Sequence, residues 1–239
     1  GRGHYRGWAD RLAAHVARAS GGVQYANLAV RGRKTREILE QQLEPALAMR
    51  PDLATVFSGT NDVIRKEFDL DAVRADAETL WRTLRESGAT VLTFTLPDLS
   101  AVIPFAKRIQ PRVEAMNEAL RQAAVATGTI LVDFSRIPLT SDPRLWSEDR
   151  LHANALGHER IAAALAEALG LPGTDGSWAD PLPPAVRPSI AERAAVELRW
   201  THRYFIPWAW RRATGRSSGD GIQPKRPQLA PVQSEEPHA

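Results

Sequence analysis

A carboxylate and an imidazole with the spacing needed for acid–base chemistry occur at Asp149-Arg150-Leu151-His152. Side chains three residues apart can meet on one face of a turn. The carboxylate can then hold one ring nitrogen and stabilise the imidazolium, which leaves the other nitrogen free to act as a general base. Because an unperturbed histidine has a pKa of about 6.5, it suits that work at neutral pH. The alternative is that Asp149 only shapes the loop and His152 is its surface neighbour.

Two further blocks carry groups that could stabilise a negative charge. Gly32 ends the stretch Asn27-Leu28-Ala29-Val30-Arg31-Gly32, and a glycine there lets the backbone approach a ligand with its N–H free to donate. Asn61 lies in Gly59-Thr60-Asn61-Asp62, and its amide could donate to a developing oxyanion. Each block could equally be a simple turn, since glycine, asparagine and aspartate favour turns.

Alternating helices and strands must bring these three blocks together. Apolar spacing predicts helices over 8–19, from Thr35 onwards, and over 70–87, 109–127 and 155–169; it predicts strands over 23–30, 53–57, 90–96 and 129–134. Such alternation with short connections predicts a parallel sheet with helices on both faces. Ligands bind at the carboxyl ends of the strands in such sheets, and the blocks lie at or near those ends.

The chain resembles the SGNH (GDSL-type) serine hydrolases over about residues 5–170. The resemblance rests on the order of three motifs, which are N-x-A-x-x-G, G-T-N-D and D-x-x-H-x-N-x-x-G-H. The resemblance implies a three-layer α/β/α, flavodoxin-like parallel sheet and a site that needs no metal or organic cofactor. It implies that His152 and Asp149 are catalytic and that Gly32 and Asn61 form the oxyanion hole. The supporting residues it implies are Asp62, Gly59 and His158, of which Asp62 would shape the Asn61 loop.

One feature of that family has no counterpart in this sequence. The nucleophilic serine of the family lies in a G-D-S motif at the end of the first strand, and no G-D-S occurs here. The family places that motif shortly before a helix start like Arg6-Gly7-Trp8-Ala9. We therefore expect the first strand and its serine to lie upstream of Gly1, and the chain as given to be inactive by itself. Ser58 and Ser20 are weak substitutes.

The predicted function is that of a serine esterase or deacylase acting on a small-molecule ester. The alternative is a non-catalytic module that uses the same fold to bind a ligand, a lipid or a partner. Trp146, three residues before Asp149, could form a wall of the acyl pocket or could simply pack in the core. The acyl and alcohol groups of the substrate have no specific signature in the loops.

Charge and composition exclude several other classes of protein. The net charge is +3, but residues 1–179 hold 22 basic and 22 acidic residues, so the body is neutral and nucleic acid is not expected as a partner. The chain has no cysteine, which excludes disulfides and thiolate sites. No apolar run approaches the roughly 20 residues of a membrane-spanning helix. Cytoplasmic location is the default expectation.

The composition changes after Gly173, and we divide the chain there. We predict a hydrolase-like domain over 1–172, an appended segment rich in proline, tryptophan and arginine with one helix over 173–212, and a disordered tail over 213–239. Residues 180–239 hold 9 of the 17 prolines. The aromatic and arginine side chains around Trp200, Trp208 and Trp210 either dock on the body or make weak contact with a membrane surface.

Overall fold

The computed structural model describes residues 6–232 apart from 101, 104–105, 186–187, 215–218 and 220. Short 3-10 turns cover Phe134–Arg136, Pro138–Ser141, Pro143–Leu145 and Ser177–Ala179, and a π-helical turn covers Thr201–Phe205. The helices are α1 (Trp8–Ser20), α2 (Thr35–Ala48), α3 (Thr60–Val63), α4 (Leu70–Glu86), α5 (Ala106–Thr127), α6 (Ala155–Ala168), α7 (Ile190–Trp200) and α8 (Ile206–Ala213). The strands are β1 (Val23–Asn27), β2 (Leu53–Thr55), β3 (Thr90–Phe94), β4 (Ile130–Val132) and β5 (Arg226–Val232).

The centre of the molecule is a parallel sheet with the strand order β2-β3-β4. Successive side chains of β3 point to opposite faces, so Val91 joins the apolar cluster under α4 and α5, while Leu92 and Phe94 join the cluster under α1 and α6. Because helices cover both faces, β3 is almost entirely buried. The predicted parallel sheet between two helical layers is therefore confirmed.

Local sequence signals explain where several helices begin and which face they bury. Asp69 accepts a hydrogen bond from the N–H of Ala72 at 3.0 Å and so caps the start of α4. The buried residues of α4 recur every three or four positions, which gives that helix one apolar face toward the sheet. In the part of the chain that the structure describes, no helix is both long and apolar enough to cross a bilayer.

Strand β1 differs from the expectation, because it pairs antiparallel with β5 rather than parallel with another strand. The ladder joins Val23 to Val232 and Asn27 to Arg226. Lys225 anchors its start, since its Nζ lies 2.5 Å from Oδ2 of the buried Asp10 on α1. The prediction of disorder over 213–239 is therefore wrong for residues 226–232, which form a strand. They are ordered because their backbone pairs with β1 and because the neighbouring Lys225 bonds to Asp10.

Helix α7 and the π-helical turn lie against the body next to the loop that precedes α6. Trp200 is buried at 8% exposure in a small apolar cluster. The other members of the cluster are Leu99, Val102, Ile103, Ala106, Trp146, Tyr204 and Phe205. Trp210, on α8, is 71% exposed. The aromatic side chains of this segment therefore divide into a docked group and an exposed one.

Candidate active site

Asp149 and His152 lie at the tip of a tight hairpin just before α6. Trp146 pairs with Ala153 as an antiparallel bridge, and the N–H of Ser147 donates to the His152 carbonyl at 2.8 Å. The Nδ1 of His152 lies 2.7 Å from Oδ2 of Asp149. The other carboxylate oxygen accepts the backbone N–H groups of Leu151 and His152, both at 3.0 Å. The carboxylate is thereby fixed in place, and the Nε2 side of the ring is left for chemistry.

The electrostatics of this pair are those of a charge-stabilised imidazole. The hydrogen bond from His152 to Asp149 raises the pKa of His152 against the opposing effects of burial and of the Arg31 charge. Burial raises the pKa of Asp149, but the hydrogen bonds from His152 and Leu151 outweigh it and leave that pKa lowered. Asp149 therefore stays ionised and favours the imidazolium, which is the state that a general base reaches after it takes a proton.

The glycine and asparagine blocks meet at a second corner. Gly32 has φ +83°, in the left-handed region that glycine adopts without strain, and it lines a cavity of about 220 Å³ together with Arg31 and Arg65. The Nδ2 of Asn61 donates to the carbonyl of Arg33 at 3.0 Å, which holds the Asn61 amide against the Gly32 loop. An asparagine amide carries two N–H groups, so one remains to bind an oxyanion.

Asp62 and Gly59 shape the short helix that carries Asn61. The buried carboxylate of Asp62 accepts the Thr35 N–H at 3.1 Å and the Thr35 hydroxyl at 3.1 Å, which ties the start of α3 to the start of α2. Burial raises the pKa of Asp62 despite these bonds. Gly59 precedes α3 with φ +99°, and a Cβ there would contact Met116 at 3.4 Å. The loop bearing Asn61 is therefore held from two sides.

Arg31 connects the two corners electrostatically. It is the neighbour of Gly32, and its positive charge is one of the groups that oppose the raised pKa of His152. A charge exerts such an effect only at short range in solvent. The charged end of Arg31 thus lies within electrostatic range of the His152 ring, and the union of the two corners into one site stays a prediction.

His158 contacts the start of α1. Its Nδ1 accepts the backbone N–H of Trp8 at 3.1 Å, so the ring satisfies one of the N–H groups that a helix start leaves without an intrahelical partner. Burial, followed by the charges of Arg11 and His152, lowers the pKa of His158 to about 4. At neutral pH His158 is an uncharged hydrogen-bond acceptor.

Asn154 and Gly157, in the same block, have structural roles that the sequence analysis missed. Asn154 caps α6 by accepting the Gly157 N–H at 3.0 Å, and its Nδ2 donates to the Arg144 carbonyl at 2.7 Å. A Cβ on Gly157 would lie 2.3 Å from the carbonyl oxygen of Leu145. An asparagine directly before a predicted helix is a cap signal that could have identified the first of these roles.

Trp146 and Ser20 have structural partners of their own, and Ser58 is buried. The Nε1 of Trp146 donates to the Thr140 carbonyl at 3.0 Å, and its ring packs in the cluster around Trp200. Ser58 is buried three residues after β2. The hydroxyl of Ser20 bonds to the carbonyl groups of Val16 and Gly22 at the end of α1. Among the described residues, no three His, Asp or Glu side chains are grouped so that they could hold a metal ion.

The chain is similar to proteins of known structure or activity, several of which are esterases. Residues 1–160 match the model of the GDSL-like lipase/acylhydrolase family. The chain is 25% identical over 165 residues to an acetylxylan esterase of Geobacillus stearothermophilus, a match that covers 62% of this chain and 73% of the esterase. A solved alpha/beta hydrolase enzyme from the metagenome of Lake Arreo, Spain, superposes with a TM-score of 0.56 at 20% identity, over 70% of this chain and 83% of that one. The crystal structure of another acetyl xylan esterase gives a TM-score of 0.51 at 20% identity, over 58% and 77% of the two chains.

Proposed function

Because the chain belongs to the GDSL-like lipase/acylhydrolase family, we propose that it hydrolyses carboxylic esters through a serine, His152 and Asp149. Family membership supports ester hydrolysis itself. The observation that carries the mechanism is the 2.7 Å contact between Nδ1 of His152 and the Asp149 carboxylate. That contact directs Nε2 of His152 outward as the base, and the raised pKa of His152 favours the imidazolium that the reaction forms.

The proposed reaction has two halves. In the first, the serine oxygen bonds to the ester carbonyl carbon while His152 takes the hydroxyl proton, and the bond to the leaving oxygen then breaks as His152 returns the proton to the departing alcohol. In the second, a water molecule attacks the acyl-serine with the same proton transfers and releases the carboxylic acid. Asp149 keeps its charge throughout and orients the imidazole.

The negative charge on the carbonyl oxygen is assigned to the second corner of the site. The N–H of Gly32 and the remaining N–H of the Asn61 amide are the proposed donors, together with the N–H of the serine itself. Fixed donors of this kind each contribute about 3 kcal/mol to lowering the barrier. The bond from Asn61 to the Arg33 carbonyl supports this assignment, because it fixes the amide without using both of its N–H groups.

We place the serine upstream of Gly1, in a G-D-S motif that this sequence does not contain. The support is the bond between Trp8 N and His158 Nδ1, which holds the start of α1 beside the first turn of α6. Since the charge of His152 acts on His158, residues that lead into α1 would approach the catalytic imidazole. Ser20 is not favoured, because its hydroxyl is engaged at the far end of α1.

Small acetyl esters are the first substrates to test, because the chain is similar to the acetylxylan esterase of Geobacillus stearothermophilus. We therefore expect hydrolysis of a chromogenic acetate ester and of acetylated xylooligosaccharides by the protein expressed from its coding sequence, including the part upstream of Gly1.

The decisive experiment is covalent labelling of that protein with a fluorophosphonate, followed by mass spectrometry of the labelled peptide. We expect one labelled serine in a G-D-S sequence and a large loss of labelling in His152→Gln. His202→Gln, a substitution at an exposed histidine, should label like the wild type. An upstream sequence without G-D-S, or labelling that is equal in all three proteins, would refute the mechanism and favour a binding module on the same fold.

A further inference from the structure

We propose that helix α7 is a positioning element of the active site, in which Trp200 and Glu197 hold the Asp149–His152 turn in its reactive conformation. This inference rests on the proposed function, because it assigns a role within the same site. It also makes the C-terminal segment part of the catalytic apparatus, although this segment lies beyond the residues that match the family model.

Three consecutive residues of the turn contact the C-terminal segment. The Nε1 of Trp200 donates to the backbone carbonyl of Asp149 at 3.2 Å. Arg150 forms two bonds with Glu197, at 2.9 Å and 2.7 Å, and its guanidinium lies 4.6 Å from the centre of the Trp200 ring. Glu148 accepts a bond from the Tyr204 hydroxyl at 2.8 Å. The turn therefore has a separate anchor at each of these three positions.

The backbone of the turn explains why it needs such anchors. Arg150 has φ +63°, a left-handed conformation that is unfavourable for a residue with a side chain. Conformations of this kind persist where the surroundings hold them, and they concentrate at functional sites. The Arg150 side chain is only 12% exposed and is clamped by Glu197 and Trp200, so its strained backbone is held from α7.

Release of the turn should loosen the contact between Asp149 and His152. The groups that act on the His152 ring are Asp149, which raises its pKa, and Arg31, which lowers it. If α7 no longer holds the turn, the Asp149 contribution weakens and the pKa of His152 falls toward its ordinary value. The rate of the chemical step should fall as well, whereas substrate binding should change little.

Two substitutions test these anchors, each by removing one of the groups that hold the turn. Trp200→Phe keeps an aromatic ring in the cluster but removes the N–H donor to Asp149. Glu197→Gln removes the charge opposite Arg150 at a position that is 52% exposed, so it should not prevent folding. The matched controls are Trp210→Phe, at a 71% exposed tryptophan, and Glu86→Gln, at an exposed glutamate at the end of α4.

The measurements are the pKa of His152 by NMR titration and kcat and KM on an acetate ester, both on the protein expressed from its coding sequence with the part upstream of Gly1. We expect Trp200→Phe and Glu197→Gln each to lower kcat by about 5- to 50-fold, which lies within the span expected for losing one hydrogen bond, with KM within about twofold. Both should also lower the pKa of His152, and the two controls should change neither quantity.

The titration separates this inference from the proposed function, because it requires no turnover. If the wild type has no esterase activity, the proposed function is refuted. If Trp200→Phe nevertheless lowers the His152 pKa, the positioning role still holds. If the wild type is an active esterase and both variants keep its kcat and its His152 pKa, then α7 is only a structural support and the inference is wrong. The inference is equally wrong if Trp200→Phe lowers the melting temperature alone.

Discussion

His152 and His158 lie six residues apart in one sequence block, yet their environments have opposite effects on them. The His152 side chain is 62% exposed and bonds to a carboxylate, which raises its pKa. The His158 ring accepts a backbone N–H and is partly buried, which lowers its pKa to about 4. The partner of a histidine, rather than its place in a motif, therefore decides in which direction its pKa moves.

The same contrast extends over the whole block. The tip of the hairpin carries the proposed catalytic pair. The start of α6 instead carries residues that connect segments: Asn154 to the Arg144 carbonyl, Gly157 to Leu145 and His158 to Trp8. Substitutions on the two sides should therefore affect different quantities. At the tip they should affect the rate, and at the start of α6 they should affect the free energy of unfolding.

The largest difference is expected between His152→Gln and His158→Gln. Loss of the general base in a serine hydrolase lowers kcat by about 10⁴-fold or more, so we expect that loss for His152→Gln on an acetate ester. His158→Gln should lower kcat by less than about tenfold, because the ring bonds to the backbone N–H of Trp8 and not to the Asp149 carboxylate. Steady-state kinetics of the two variants checks this, with His202→Gln as a control. Equal losses at His152 and His158 would abolish the distinction between the two rings.

The second prediction concerns Gly157→Ala, which should destabilise the protein by about 2–4 kcal/mol. A Cβ there would lie 2.3 Å from the Leu145 carbonyl oxygen, and backbone cannot move aside as a flexible side chain can. The free energy of unfolding in urea measures the effect. Gly7→Ala is the control, because a Cβ at Gly7 meets nothing within 4 Å. A Gly157→Ala protein of wild-type stability would mean that α6 does not need this close approach.

Sequence reasoning identified the parts of this molecule that are encoded locally. The spacing of apolar residues predicts α4 and the buried strand β3, and three-residue spacing predicts the Asp149–His152 contact, because in each case the interacting positions are neighbours in the chain. The pairing of β1 with β5 joins residues about 200 positions apart, and the contact between Trp200 and Asp149 spans 51 positions. Neither has a local signal, since such contacts depend on how the whole chain folds.

A smaller loss of stability is expected for Asn154→Ala. Removal of the side-chain cap of α6 should cost about 1–2 kcal/mol, and the bond to the Arg144 carbonyl is lost with it. Asn154→Asp keeps an oxygen that can cap the helix but loses that Nδ2 donor, so comparing the two variants separates the two contributions. Thermal unfolding measures both, and kcat of the remaining folded protein should stay within about threefold of wild type. A loss of kcat without a loss of stability would instead place Asn154 with the chemical groups.

The smallest effect, and the one that addresses the two histidines most directly, concerns the pH dependence of stability in His158→Asn. The pKa of His158 is about 4 in the folded protein and about 6.5 when unfolded, so between these values the unfolded state binds more protons. The stability that depends on neutral His158 is therefore present above pH 6.5 and is lost as the pH falls toward 4. Asparagine offers an oxygen to the Trp8 N–H but does not titrate, so the variant should lose less stability between pH 7.5 and 4.5.

The free energy of unfolding of both proteins at those two pH values measures the difference, and groups that titrate equally in both, such as His15, cancel. We expect roughly 1 kcal/mol or less once solvent screening of the half-buried ring is allowed for. The sign is the informative part. His152, whose folded pKa is raised, contributes stability that is present below its unfolded pKa and is lost as the pH rises. If the His158→Asn protein instead loses more stability than the wild type on acidification, then the folded pKa of His158 is raised like that of His152, and the contrast between the two rings is wrong.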